Sequence, residues 1–199
     1  MPLLDLVMPV TVFAAVSVSS PGPNNVMITA SGVNFGFRRT IPHMLGIAIG
    51  FAVMNLAVGL GLGRMFETYP LIHVVLKYVS IVYLVYLAWK IANSGPVEEG
   101  RARAKPFTFL QAAAFQWVNP KAWAIAVGAV ATFTTVGGDL LGEVMVMSLI
   151  FLLCTIPSAS TWTFFGTVIG RFLHTPGRLK AFNWFMAGLL LLSLVPAIT

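Results

Sequence analysis

Charged residues fall in short islands along this chain, and between them run apolar stretches of membrane-spanning length, about 20 residues each. The pattern predicts six helical segments: 3–34, 44–63, 72–91, 107–134, 144–170 and 181–198. The first and fourth are interrupted. Ser20-Pro21-Gly22-Pro23-Asn24-Asn25 breaks the first, and Trp117-Val118-Asn119-Pro120-Lys121 breaks the fourth. A break at membrane depth leaves backbone groups that hydrocarbon cannot satisfy, so it survives only inside protein or along a polar cavity. Paired breaks in corresponding parts of two halves point to a transporter's substrate site.

The most polar stretch, 93–106, is rich in Gly, Pro and charge and reads as a solvated linker. It separates a first repeat of about 1–95 from a second of about 107–199, the linker proper being about 96–106. Each repeat opens with an interrupted segment and holds three spans. An odd number of spans makes the second repeat enter from the opposite face. The expected fold is therefore a single all-α integral membrane domain over 1–199, an inverted 3+3 repeat with broken first and fourth helices.

Composition agrees. Of 199 residues, 58% are hydrophobic and 9% charged, against about 25% charged in soluble domains. Mean hydropathy is +0.88. The formal charge of +6 raises the question of nucleic acid, but the distribution answers it. With Lys121 of the second break set aside, Arg38, Arg39, Lys90, Arg101, Arg103, Lys105, Arg171, Arg178 and Lys180 fall on one side, and Arg64 and Lys77 on the other. By the positive-inside rule the basic loops are cytoplasmic and both termini lie outside. No nucleic-acid partner is implied. The first segment lacks a basic start and a small-residue cleavage site, so it is expected to be retained.

Asn119 is a good N-cap and Pro120 suits the first helical position, so a half-helix starts there. Its N-terminus carries positive dipole character and attracts anions. Lys121 opposes that dipole, a conflict relieved either by a ligand carboxylate or by snorkelling to the interface. At the first break Pro21 and Pro23 remove donors, and Gly22 adopts dihedrals other residues avoid. Asn24 and Asn25 follow, as half-helix caps or as amides that meet both ends of a zwitterion. Ser20 is a possible cavity-lining residue, as is Ser158 beside Pro157, where a kink is expected. The other nearby hydroxyls, Ser17, Ser19, Thr29 and Ser31, more often bond back to their own helix. Trp117 and Trp123 either wall a substrate or sit in an interfacial belt.

Other chemistry is sparse. Cys154 has no partner for a disulfide, and a small apolar packing role suits it. His43, His73 and His174 fall at segment ends, too scattered for a metal site. No HExxH, GxSxG or P-loop motif occurs, so no enzyme, cofactor or ATP-driven pump is expected. Asp5, Glu67, Glu98, Glu99, Asp139 and Glu143 all fall at segment ends or in loops, leaving no carboxylate at mid-membrane for a proton relay. The GxxxG spacings Gly46–Gly50 and Gly166–Gly170 suit packing within the monomer or a dimer interface and decide nothing about oligomeric state.

Four stretches resemble the LysE family of amino-acid exporters, in its RhtB-like branch. They are Ser20–Asn25, followed by Gly32, Gly36 and Arg38; Gly46-Ile47-Ala48-Ile49-Gly50-Phe51; Lys77-Tyr78-Val79 leading to Tyr83–Lys90; and Asn119-Pro120-Lys121-Ala122. The resemblance implies six spans in the bacterial inner membrane and efflux of amino acids or related metabolites, with protons as the implied driving ion. Two departures stand out: the acidic residue often found in span five is replaced near Ser158, and 127–135 lacks the usual Pro-Gln-Phe. The expected substrate is a small zwitterion held by Pro21, Gly22, Pro23, Asn24, Asn25, Asn119, Pro120 and Lys121. The rival readings are a passive channel or an ion transporter using the breaks for a bare ion, and a membrane redox enzyme, for which cysteine pairs, a metal cluster and an acidic dyad are all missing.

Overall fold

A computed structural model describes residues 3–63, 70–94, 105–135, 137–173 and 175–195. Linker residues 95–104 lie outside it, and with them Glu98, Glu99, Arg101 and Arg103; Arg64, Glu67 and His174 lie outside as well. Among the described residues the chain forms α-helices and no strand. We number the helices α1 Leu3–Ser19, α2 Pro23–Phe35, α3 Phe37–Ala57, α4 Pro70–Ala92, α5 Phe109–Gln116, α6 Pro120–Phe133, α7 Leu140–Gly170 and α8 Pro176–Leu192. A π-helical turn, Val58–Leu62, extends α3, with Gly61 at φ 123°.

Both interruptions follow from local chemistry. Helix α1 stops at Ser19, Gly22 stands extended at φ 175°, and Pro23 opens α2 at a position that needs no N–H. The two helices are bent by 56°. Asn119 caps α6 by accepting the Lys121 N–H at 3.1 Å, and Pro120 is the first helical residue.

Several helices start earlier than the apolar pattern indicated. Helix α3 begins at Phe37 rather than near Met44, α7 at Leu140 rather than Val144, and α8 at Pro176 rather than Ala181. Hydropathy marks the hydrocarbon-facing part of a helix, whereas α3 and α8 run on into polar first turns and α7 starts one turn earlier, at Leu140-Leu141. Asp139 caps α7 and Thr175 caps α8, and Thr108 and Gln111 form a capping box on α5. One assignment changes as a result. His43 is not at a segment end but is fully buried within α3. Glu143 does stand at a segment end, in the first turn of α7, where it is 1% exposed and accepts the Thr135 N–H at 2.9 Å. Helix α7 also runs unbroken through Pro157.

Phe37–Leu62, Val74–Ala92 and Leu140–Gly170 are each long and apolar enough to cross a membrane, and the bent α1–α2 pair passes the same test when its two helices are taken together. Leu4, Val82, Leu110, Phe164 and Phe185 project outward as large apolar side chains, as hydrocarbon rather than water requires. The chain is an integral helical membrane protein. Helix α7 is its centre, packed on α1, α2 and α3, while α3 also packs on α5, and α4 on α8. Small residues permit the closest approaches. Gly46 and Gly50 meet α5, and Gly32 and Gly166 seat α2 on α7, with no room for a Cβ at any of the four. Both GxxxG spacings are thus used within the monomer.

Among the described residues two larger hydrophobic cores and a smaller cluster of Ile28, Met44, Ile47, Ala112 and Ala159 fill the bundle, and each break joins a helix of one large core to a helix of the other. One core joins Leu6 and Val10 of α1, Ala126 of α6, Met54 of α3 and Phe151 of α7. The other joins Met27 of α2, Phe115 of α5, Leu87 of α4 and Leu190 of α8. The chain passes from the first core to the second at Ser20–Gly22 and from the second to the first at Trp117–Asn119, while α3, between the breaks, gives Phe51 and Met54 to the first.

Candidate functional site

The last carbonyls of a helix have no partner of their own, and at the end of α1 other elements supply the donors. Asn25 Nδ2 donates to Val18 O at 3.0 Å and to Ser20 O at 2.8 Å. From α7, Ser158 Oγ donates to Val18 O at 3.2 Å. From the second break, Lys121 Nζ donates to Ser20 O and Ser20 Oγ, both at 2.7 Å, and to Pro21 O at 3.1 Å. Asn25 thus stitches the first break internally, and Lys121 ties it to the second.

This placement resolves the conflict at Lys121. Its Cα sits in the first turn of α6, where a cation is unfavourable, but its ammonium lies at the C-terminal end of α1, where the dipole favours it. The side chain crosses to the opposite break instead of snorkelling outward. Gly22 makes the crossing possible: a Cβ there would stand 2.8 Å from Lys121 Cδ and 3.1 Å from Nζ. Space, not backbone strain, is what this glycine provides.

Asn24 forms a second tie. Its Nδ2 donates to Gln116 Oε1 at 2.9 Å, and Gln116 Nε2 donates back to Asn24 Oδ1 at 3.0 Å and to Ala112 O at 3.0 Å. Gln116 is fully buried, and the sequence reading passed over it. The available signal was an amide in the last turn of an otherwise apolar half-helix.

Gly22, Asn24, Asn25, Asn119, Lys121 and Ser158 line one cavity, with Ile47 and Phe51 of α3 on its apolar side. Its volume is about 40 Å³, room for a few waters at roughly 10–15 Å³ apiece. The other expected residues are placed differently. Pro21 contributes its carbonyl, Pro23 and Pro120 open their half-helices, and Ser20 holds Lys121, though none of these four lines the cavity. Trp117 and Trp123 do not line it either. Trp123 Nε1 donates to Trp117 O at 2.9 Å and the rings meet edge to face at 6.2 Å, bracing the second break.

Other buried polar ties also escaped the sequence reading. Asn34 and Asn183 exchange hydrogen bonds at 2.8 and 3.1 Å, and Asn183 also donates to Ser94 O. Asn55 donates to Ser148 Oγ at 3.0 Å, and Ser31 Oγ meets His43 Nδ1 at 3.1 Å. Each links two elements. Asp5 is exposed, and among the described residues no group of three His, Cys, Asp or Glu is placed to hold a metal.

A helical membrane bundle with two broken helices meeting at a cavity lined by both polar and apolar side chains is the build of a transporter, and sequence comparison gives the class its family. The chain belongs to the LysE type translocator family, which it matches over residues 15–195; it is a membrane transporter and not an enzyme. Among its relatives is a cysteine/O-acetylserine efflux protein of Escherichia coli (strain K12), 30% identical over 167 residues, which is 83% of this chain and 85% of the relative. The cysteine/O-acetylserine efflux protein of Shigella flexneri matches to the same extent, and that of Escherichia coli O1:K1 / APEC is 29% identical. No solved structure matches the chain.

Proposed function

We propose that this protein is a secondary active exporter of an amino acid or a related small zwitterion, working by alternating access in the bacterial inner membrane. The observation that carries the reading is the meeting of the two breaks, tied by Lys121 to Ser20 and by Asn24 to Gln116. Family membership and relatives named as efflux proteins for cysteine and O-acetylserine, both small zwitterions, support the substrate class.

In this reading the chain crosses six times as an inverted 3+3 repeat, with α1–α2, α3 and α4 answering to α5–α6, α7 and α8. The exchange of packing supports it: α3 of the first repeat packs on α5 of the second, and α7 of the second packs on α1 of the first. The breaks at Ser20–Gly22 and Trp117–Asn119 are the hinges about which the half-helices move. Both termini face the periplasm. The cavity between the breaks is the substrate site. Asn24 and Asn25 hydrogen-bond the substrate's backbone groups, and its carboxylate is received by Lys121 and the α6 N-terminus at Asn119 and Pro120. Protons are the coupling ion this reading favours.

The test is counterflow of a labelled amino acid in proteoliposomes. Saturable uptake stimulated by unlabelled amino acid on the far side is the expected result. Non-saturable flux, or flux of inorganic ions alone, makes the protein a channel or ion transporter instead.

A further inference from the structure

The Lys121 ammonium has three N–H donors, and the first break gives it three acceptors: Ser20 O, Ser20 Oγ and Pro21 O, at 2.7, 2.7 and 3.1 Å. All three acceptors belong to residues before α2, while the cation enters from α6. Every acceptor is formally neutral, so Lys121 forms no ion pair here that an incoming group would have to break. The acceptors also sit at the negative end of α1, and the side chain that fills them crosses the cavity that Asn24, Asn25, Asn119 and Ser158 line. Room for a few waters is left beside it.

We infer that Ser20 O, Ser20 Oγ and Pro21 O form a subsite for a primary ammonium group, and that Lys121 is its resident, displaceable occupant. The inference rests on the exporter reading above and deepens it. A zwitterion places its own ammonium on these acceptors and frees Lys121 Nζ, whose positive charge then meets the substrate's carboxylate. One exchange thus empties the cavity of its plug and supplies the carboxylate's partner. The chemistry sets the ligand class: an ammonium with N–H donors beside a carboxylate. A quaternary ammonium such as glycine betaine has no N–H to give and is refused.

The experiment is chemical rescue of Lys121→Ala in the purified full-length protein, read as thermal unfolding in detergent at matched ionic strength. Ethylammonium chloride is the probe and tetramethylammonium chloride the control. The variant is expected to melt below wild type and to regain several degrees, saturably, with ethylammonium but not with tetramethylammonium. Wild type, its subsite filled, is expected to respond to neither. Equal responses to the two salts, no response of the variant, or an equal rise in wild type overturns the proposal. If Lys121→Ala cannot be purified, Lys121→Met carries the same test, because it removes the donors and keeps most of the side-chain length. Rescue needs no transport. A positive rescue with no counterflow sinks the exporter reading and leaves the subsite standing, and counterflow without rescue does the reverse.

Discussion

Asn24 and Gln116 lie 92 positions apart in the chain and close on one another as a reciprocal amide pair, with bonds of 2.9 and 3.0 Å. Gln116 is fully buried and keeps only its bond to Ala112 O if Asn24 is removed, whereas Asn24 is half-buried beside the cavity. Leaving a buried polar group unsatisfied costs about 1–3 kcal/mol. Asn24→Ala and Gln116→Ala are each expected to destabilise by that order, and the double variant by clearly less than the sum. Thermal unfolding of the four proteins in one detergent measures the coupling. Additive losses contradict the pairing.

Gly22→Ala puts a Cβ 2.8 Å from Lys121 Cδ. Overpacking of this kind costs about 1–3 kcal/mol, and here the side chain yields more readily than the backbone. The expected outcome is a folded protein whose Lys121 is pushed off its acceptors, with strongly reduced amino-acid counterflow and normal membrane insertion. Transport equal to wild type at equal reconstitution contradicts the role given to this glycine.

The seams of small residues respond in the opposite sense. Gly46 and Gly166 face backbone of α5 and α2, which cannot move aside. Gly46→Leu and Gly166→Leu are expected to abolish accumulation of folded monomer, whereas leucine at Gly128, which has open space around it, is tolerated. Size-exclusion profiles of the three variants from detergent extracts separate these outcomes.

The breaks were legible in the sequence because their causes are local. Proline removes a donor wherever it stands, and Asn119 caps a helix with its own side chain three atoms from the backbone. What joins the breaks was not legible. Lys121 could be read as a carboxylate receiver or as a snorkelling cation, and the structure adds a third environment, the carbonyls of Ser20 and Pro21, which lie 101 and 100 positions away. Gln116, Asn34, Asn55 and Asn183 were passed over for the same reason, since an amide's partner on another helix leaves no trace in spacing. Helix starts were misplaced wherever the first turn is polar, as at Phe37-Arg38-Arg39, because hydropathy senses the lipid and not the helix.

Ser158 Oγ donates to Val18 O at 3.2 Å and lines the cavity. Its bond is one of two on that carbonyl, Asn25 supplying the other. Ser158→Ala is therefore expected to cost no more than about 0.5–1.5 kcal/mol in stability and to leave counterflow within a few-fold of wild type. Complete loss of transport in this variant assigns Ser158 a larger part than a shared hydrogen bond.

The account depends most on the two breaks acting together as one receptacle for solute, with Asn24 on one side and Lys121 on the other. Counterflow of labelled amino acid into proteoliposomes holding wild type, Asn24→Ala or Lys121→Ala at equal protein content tests this directly. Saturable exchange by wild type and its loss in both variants, with membrane expression retained, is the predicted result. Normal exchange by both variants contradicts it.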